Sequence, residues 1–460
     1  MTALTFAPAT LAARAANAPA NAFTRPRVGR LTRRLGLAVA ALAAALAPTV
    51  PAMAETVAIT NARVVTLSDA GILDNATVVI EGRRITAVGP NASIPRDARV
   101  IDAGGGWVTP GLFAPAGRLA TVEVGAVDAS RDDRVSAEEA GFSAAFKVSY
   151  GINPRATAIP VSRTEGVTRA AVTPVPGDSL FGGQAALIHL RPAANAVFKG
   201  SVAMVAGLGA AGARRTGGAR GAAMGALIQA LQAADSIGPL DLTQRWDGPI
   251  PRADAEALAP VVRGEVPLMV QVHRASDITQ TLKLVERFER LRLILHGATE
   301  GWLVAERIAR AGVPVILDPT ANLPAGFDRL GATQRNAARL IEAGVTVAFM
   351  PAGSDSHLPH LIRQSAGNAV ANGVAWTEAF KAISLNPARI YGVERELGAL
   401  DRGKLADLVV WDGDPLEVRT NPTHVFIEGV ETPMTSRQMK LHARYNDLDG
   451  TPPFAYRRPE

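Results

Sequence analysis

The chain has 460 residues, a formal charge of +6 and no cysteine, a length that suits two or three ordinary domains or one large barrel with an appendage. Without cysteine there is no disulfide, no thiolate metal site and no cysteine nucleophile, so any metal must rest on His, Asp, Glu or Lys. The positive charge does not mark a nucleic-acid binder: Arg14, Arg25, Arg27, Arg30, Arg33 and Arg34 lie in the first 54 residues, which hold no acid, and the remainder is near neutral.

Those arginines precede an apolar run at residues 35–47 and then Ala52-Met53-Ala54 before Glu55. This is the pattern of an export signal with a small-residue cleavage site, so residues 1–54 are expected to be a signal peptide and the mature protein periplasmic or extracellular. The run is too short for a comfortable span, and no stable membrane insertion is expected after its removal. Thr32-Arg33-Arg34-Leu35 resembles a twin-arginine signal; the general secretory route is the alternative.

Residues 56–100 alternate in short pieces, VAITNARVVT and NATVVIEGRRITAVG, with Asn75 and Gly82 at turns. The segment VIDAGGGWVTPGL then marks a passage to a new unit. The alternating texture returns after residue 389 in LADLVVWDGDPLE and THVFIEGVE. Residues 55–110 and 390–432 are therefore expected to form one composite β-sandwich, with 433–460 as a tail.

Between them, GVTRAAVTPV, QAALIHL, VPVILDP and VTVAFM read as strands and AAMGALIQALQAAD as a helix. Such alternation predicts an α/β fold, a (β/α)8 TIM-type barrel over residues 111–389. Residues 207–225, rich in Gly, Ala and Arg, lack the Gly-Lys-Ser/Thr of a phosphate loop and read as a flexible barrel loop. Residues 266–300, VPLMVQVHRASDITQTLKLVERFERLRLILHGATE, hold two short apolar runs ending at His273 and His296. Ile278, Leu282, Val285 and Phe288 recur between them at helical spacing. One βαβ unit would place both histidines at the carboxyl ends of parallel strands, the edge where α/β barrels keep their chemistry.

The opening NARVVTLSDAGILDNATVVIEGRRITAVGP, the hinge IDAGGGWVTPGL and the tail AISLNPARIYGVERELGALDRGKLADLVVWDGDPLE resemble the amidohydrolase superfamily, in particular its imidazolonepropionase-like branch. The resemblance implies one or two divalent metals at the barrel mouth, which lower the pKa of a bound water that attacks a carbonyl. It implies His273 and His296 as the ligands of strands five and six, and Asp355 in PAGSDSH as ligand and proton acceptor.

One departure stands out. Where the family carries Gly-Leu-Ile-Asp-x-His-x-His, this chain reads Gly111-Leu112-Phe113-Ala114-Pro115-Ala116-Gly117-Arg118, and its first histidine is His189. A binuclear site of the family type is thereby excluded. Arg118 puts a cation where a metal would sit, repelling one or binding an anion instead. With His189 as a third imidazole, or with Asp355 as the carboxylate, a single zinc is the expected cofactor. Arg274 is read as a substrate-carboxylate binder or a partner of Asp277, and His357 and His360 as substrate-orienting groups or loop caps. The resulting expectation is an exported hydrolase of carbon–nitrogen bonds acting on a small molecule through a reduced mononuclear site. The alternative is a catalytically inactive barrel, a binding protein or the partner subunit of an active relative; a homo-oligomer also stays open.

Overall fold

Alternating short segments at the two ends of the chain hydrogen-bond into one sheet. The computed structural model describes residues 55–238, 246–351 and 358–446. Strands are numbered in chain order. From the first end come β1 (Thr56–Val65), β2 (Ile72–Glu81), β3 (Arg84–Gly89), β4 (Arg99–Asp102) and β5 (Trp107–Pro110). From the second come β14 (Leu408–Trp411), β15 (Pro422–Ile427) and β16 (Val430–Glu431). The order is β16-β15-β14-β5-β1-β2-β3, with β4 also paired to β1. β14 and β5 are antiparallel, with Leu408 opposite Pro110 and Trp411 opposite Trp107, so the two ends are stitched at the sheet centre. Val57, Ile59, Val78, Ile80, Val108, Leu408, Val410 and Phe426, drawn from five strands, share one apolar core.

The second sheet runs β6 (Leu112–Ala114), β7 (Val167–Val172), β8 (Phe181–His189), β9 (Val197–Gly207), β10 (Leu268–Val272), β11 (Leu293–Gly297), β12 (Val315–Leu317) and β13 (Val347–Phe349). It is a TIM-type barrel with one irregularity. β8 pairs antiparallel with both β7 and β9. The cause is local: residues 173–180 and 190–196 are too short for the crossover that parallel neighbours need, so the chain can only double back. β9 lies in a stretch where the sequence reading placed no strand. The expected loop at 207–225 also differs, for it carries the helices Gly209–Arg215 and Arg220–Asp235; their alanines favour helix strongly enough to offset the glycines.

β13 and β6 close the barrel through a third segment. Phe349 N–H donates to the Ala382 carbonyl at 2.9 Å, and Phe113 N–H to that of Ile383 at 2.8 Å. Asn386 fastens the same segment, its side-chain amide donating to the Val347 carbonyl at 2.8 Å.

The barrel bottom is joined to the terminal sheet by a buried ion cluster. Arg169 of β7, 1% exposed, donates to Asp407 at 2.5 and 3.1 Å and to Glu428 at 3.1 Å. Glu428 also accepts from Arg83 at 2.7 Å. Burial alone would raise the Glu428 carboxyl, but Arg169 together with Arg83 and His189 holds the carboxyl below its ordinary range. The tail motif around Asp407 is thus a structural junction.

Candidate functional site

Side chains of a strand alternate between its two faces, and here the alternation selects the residues of the mouth. Met269, Ile294, Ile316 and Ala348, one from each of β10 to β13, pack in the inner core of the barrel. Two residues further along each strand, on the same inner face, stand Gln271, His296, Asp318 and Met350. These four line one cavity of about 180 Å³ together with His273 and Arg329. β10 and β11 are parallel, with Gln271 opposite His296, and the helix Ala275–Arg287 connects them. The expected βαβ unit is present, and both histidines are at its carboxyl end.

Both ring nitrogens of His273 are engaged. Nδ1 lies 2.8 Å from Thr299 Oγ1, and Nε2 lies 2.9 Å from Arg329 Nη2. A guanidinium only donates, so Nε2 must be the accepting nitrogen and the proton sits on Nδ1, donated to Thr299. Burial, then Arg329, then His296 push the His273 pKa down to about 3; burial and Arg329 push that of His296 down to about 4. Both rings are neutral at physiological pH. His296 Nε2 faces Met350 Sδ at 3.2 Å. Gly297 lets the His273 ring lie over it: a Cβ at Gly297 would meet His273 Cε1 at 2.4 Å, and its φ is +93°.

Arg329 is brought in by a loop tied to the same unit. The buried Glu300 accepts from Ala275 N–H at 3.0 Å, capping a free donor at the start of the Ala275–Arg287 helix, and from Gly331 N–H at 2.9 Å. Trp302 Nε1 donates to the Gly331 carbonyl at 2.8 Å. Asp318 Oδ1 accepts from Thr320 N–H at 2.8 Å and Thr320 Oγ1 at 2.6 Å, which fixes the turn leaving β12.

Comparison with known proteins bears on the fold that carries this site. Residues 286–435 match the model of the amidohydrolase family. The chain is 26% identical over 404 residues to an imidazolonepropionase of Rhizorhabdus wittichii, covering 80% of this chain and 97% of that one. It is 27% identical over 177 residues to Amidohydrolase tasK of Hapsidospora irregularis, over 38% of this chain and 18% of that one. With an imidazolonepropionase of Anaeromyxobacter dehalogenans the identity is 46% over 68 residues, 13% of this chain and 16% of that one. The chain therefore spans less than a fifth of the length of these last two relatives. An amidohydrolase structure from Thermotoga maritima shares the fold, with a TM-score of 0.73 at 23% identity over 82% of this chain and 99% of that one. Residues 286–435 thus carry the amidohydrolase family pattern, and most of the rest of the chain is similar to proteins of that family. Over most of its length the chain is similar to imidazolonepropionases, at 25% to 26% identity.

The donor set of the mouth is sparse. Among the described residues no three His, Asp or Glu side chains gather as a metal site. The one lone pair of His273 that could face a metal accepts from Arg329 instead. The described residues of the mouth, as arranged, do not fit a divalent metal.

The remaining candidates are dispersed. Asp355 and His357 lie outside the described residues. His189 is at the opposite end of the barrel: because β8 runs antiparallel, its last residue pairs with Arg169 at the bottom, and burial followed by Arg169 lowers its pKa. The third-ligand role expected for His189 is therefore corrected. Arg118 donates to the buried Asp133 at 3.3 Å, an acid it shares with Arg131 and Arg134, and does not line the His273 cavity. Arg274 donates to Ser276 Oγ at 2.6 Å and also lies outside that cavity, while Asp277, its expected alternative partner, accepts from Arg220 at 3.0 Å. Asp318 and Arg329 were not singled out in the sequence. Alternation from Ile316 would have given Asp318; no local signal marks Arg329.

Proposed function

We propose that this chain is an exported hydrolase acting on a carbon–nitrogen bond of a small molecule, a cyclic amide or an amino-acid amide, bound at the barrel mouth. The observation that carries this reading is the convergence of His273, His296, Asp318 and Arg329 on one cavity at the carboxyl ends of the strands. Three of them, His296, Asp318 and Arg329, can serve water attack on a carbonyl. The Arg329 guanidinium suits the oxygen that gains charge. The Asp318 carboxylate or the neutral His296 ring can take the proton of the attacking water. Similarity to the amidohydrolase family supports the hydrolase class, and the basic head with its apolar run supports export. A single zinc, the cofactor first expected, enters only if Arg329 leaves His273. The test is release of ammonia or a new carboxylate from a panel of cyclic amides and amino-acid amides by purified residues 55–460. Turnover should be lost in His296→Asn and Asp318→Asn. A folded wild-type chain inert on the whole panel, with or without added zinc, defeats the reading.

A second reading, a non-catalytic partner of a related amidohydrolase, is favoured by one observation. The loop that carries Arg329 exposes Leu323, Phe327 and Leu330 at 77%, 89% and 64%, an apolar surface suited to cover by another chain. Co-purification with a relative that has the missing His-x-His would support it.

A further inference from the structure

We propose that Arg329 takes the place of a divalent metal in this barrel, supplying the fixed positive charge of the mouth and holding His273 as the Nδ1-protonated imidazole. The inference rests on the barrel mouth as the functional site and not on hydrolysis. To bind a metal, His273 must offer a nitrogen lone pair. Its Nδ1 proton goes to Thr299 Oγ1 at 2.8 Å and its Nε2 lone pair accepts from Arg329 at 2.9 Å, so neither nitrogen is left. A cation between the two imidazoles would also face the guanidinium at close range and be repelled by it.

The Arg329 side chain is 38% exposed and also lies 3.9 Å from Asp328 Oδ1, but the backbone that carries it is fixed. Its loop is held at Gly331 from both sides, the N–H by Glu300 and the carbonyl by Trp302. Glu300 is in turn bound to the start of the helix after His273. The arginine, the histidine and the helix are thus one unit. Loss of the His-x-His pair, whose places hold Ala116 and Arg118, removes the ligands a metal would need on the far side. A bound molecule then meets N–H donors where amidohydrolases present a metal, a surface suited to a carbonyl or carboxylate oxygen.

Two measurements decide it, neither needing turnover. First, untagged residues 55–460 are equilibrated with excess zinc, desalted and analysed for metal. Wild type should retain no more zinc than the His273→Asn, His296→Asn double variant. One zinc per chain in wild type that disappears in the double variant overturns the proposal. Second, nitrogen-15 spectra of histidine-labelled protein report the tautomer, with His273 assigned by loss of its signal in His273→Asn. Wild type should show His273 as a single Nδ1–H tautomer through neutral pH, and Arg329→Gln should bring in exchange with the Nε2–H form. An Nε2–H ring in wild type, or a tautomer unchanged in Arg329→Gln, removes the arginine's role. An inactive chain can pass both tests and an active zinc-holding chain fails the first, so the outcome is separate from that of the hydrolysis assay.

Discussion

Replacing Gly297 with alanine tests the packing of the mouth at its tightest point. The added Cβ would lie 2.4 Å from His273 Cε1 and 2.8 Å from Nδ1, so the ring must retreat by about 1 Å to reach ordinary contact. That movement stretches the bonds to Thr299 and Arg329, each worth about 1 kcal/mol. The backbone adds a second cost, because a left-handed φ is unfavourable for alanine by roughly 1–2 kcal/mol. Together the loss should be about 2–4 kcal/mol. Gly312→Ala is the control: Gly312 also has a positive φ, +63°, but nothing lies within 4 Å of its added Cβ, so only the backbone cost applies. Urea unfolding followed by circular dichroism gives both values from the midpoint at constant slope. If Gly297→Ala costs no more than Gly312→Ala, the His273 ring does not lie where it is described.

Arg169→Met should cost about 3–5 kcal/mol in the same assay, since it leaves Asp407 buried without its guanidinium and Glu428 with Arg83 and Arg191 at its other oxygen; a loss under 1 kcal/mol would contradict the cluster's role. Acid should destabilise the fold through the two neutral histidines. Their folded pKa values are about 3 and about 4, and the unfolded rings protonate near 6.5. Below about pH 6.5 the unfolded chain binds more protons, so stability falls with pH, by on the order of 3 kcal/mol for each ring and about 6 kcal/mol for the two at pH 4, and is unaffected above that range. The His273→Asn, His296→Asn variant should have a shallower acid limb, and an unchanged limb would count against buried neutral rings. Glu300→Ala should speed amide exchange at Ala275 and Gly331 and cost about 1–3 kcal/mol, since Gly331 N–H loses its partner; unaltered exchange there would mean that the Arg329 loop is held by other means. Mass spectrometry of the protein from a native extract should give Glu55 as the first residue, and an intact Met1 would end the export proposal.

What could be read from the sequence follows the range of the interactions involved. His273 and His296 were legible because each ends a short apolar run and the helix between shows a clear period, all within residues 266–300. Asp318 obeys the same alternation, yet its strand is only three residues long, Val315–Leu317, and drew no notice. The reversal of β8 was available in principle from the short links at 173–180 and 190–196, but strand-like runs alone suggest a regular barrel. Arg329 was not legible: its loop is anchored by Glu300 and Trp302, which local pattern does not connect with it. The Arg169 cluster joins residues more than two hundred positions apart, so nothing in the tail motif points to its partner.

The most direct measurement is anomalous diffraction at the zinc edge from crystals of residues 55–460 grown with zinc. The arginine-for-metal arrangement predicts no peak between His273 and His296, with the Arg329 guanidinium on His273 Nε2. A zinc peak within bonding distance of both imidazoles, with Arg329 turned away, would contradict it.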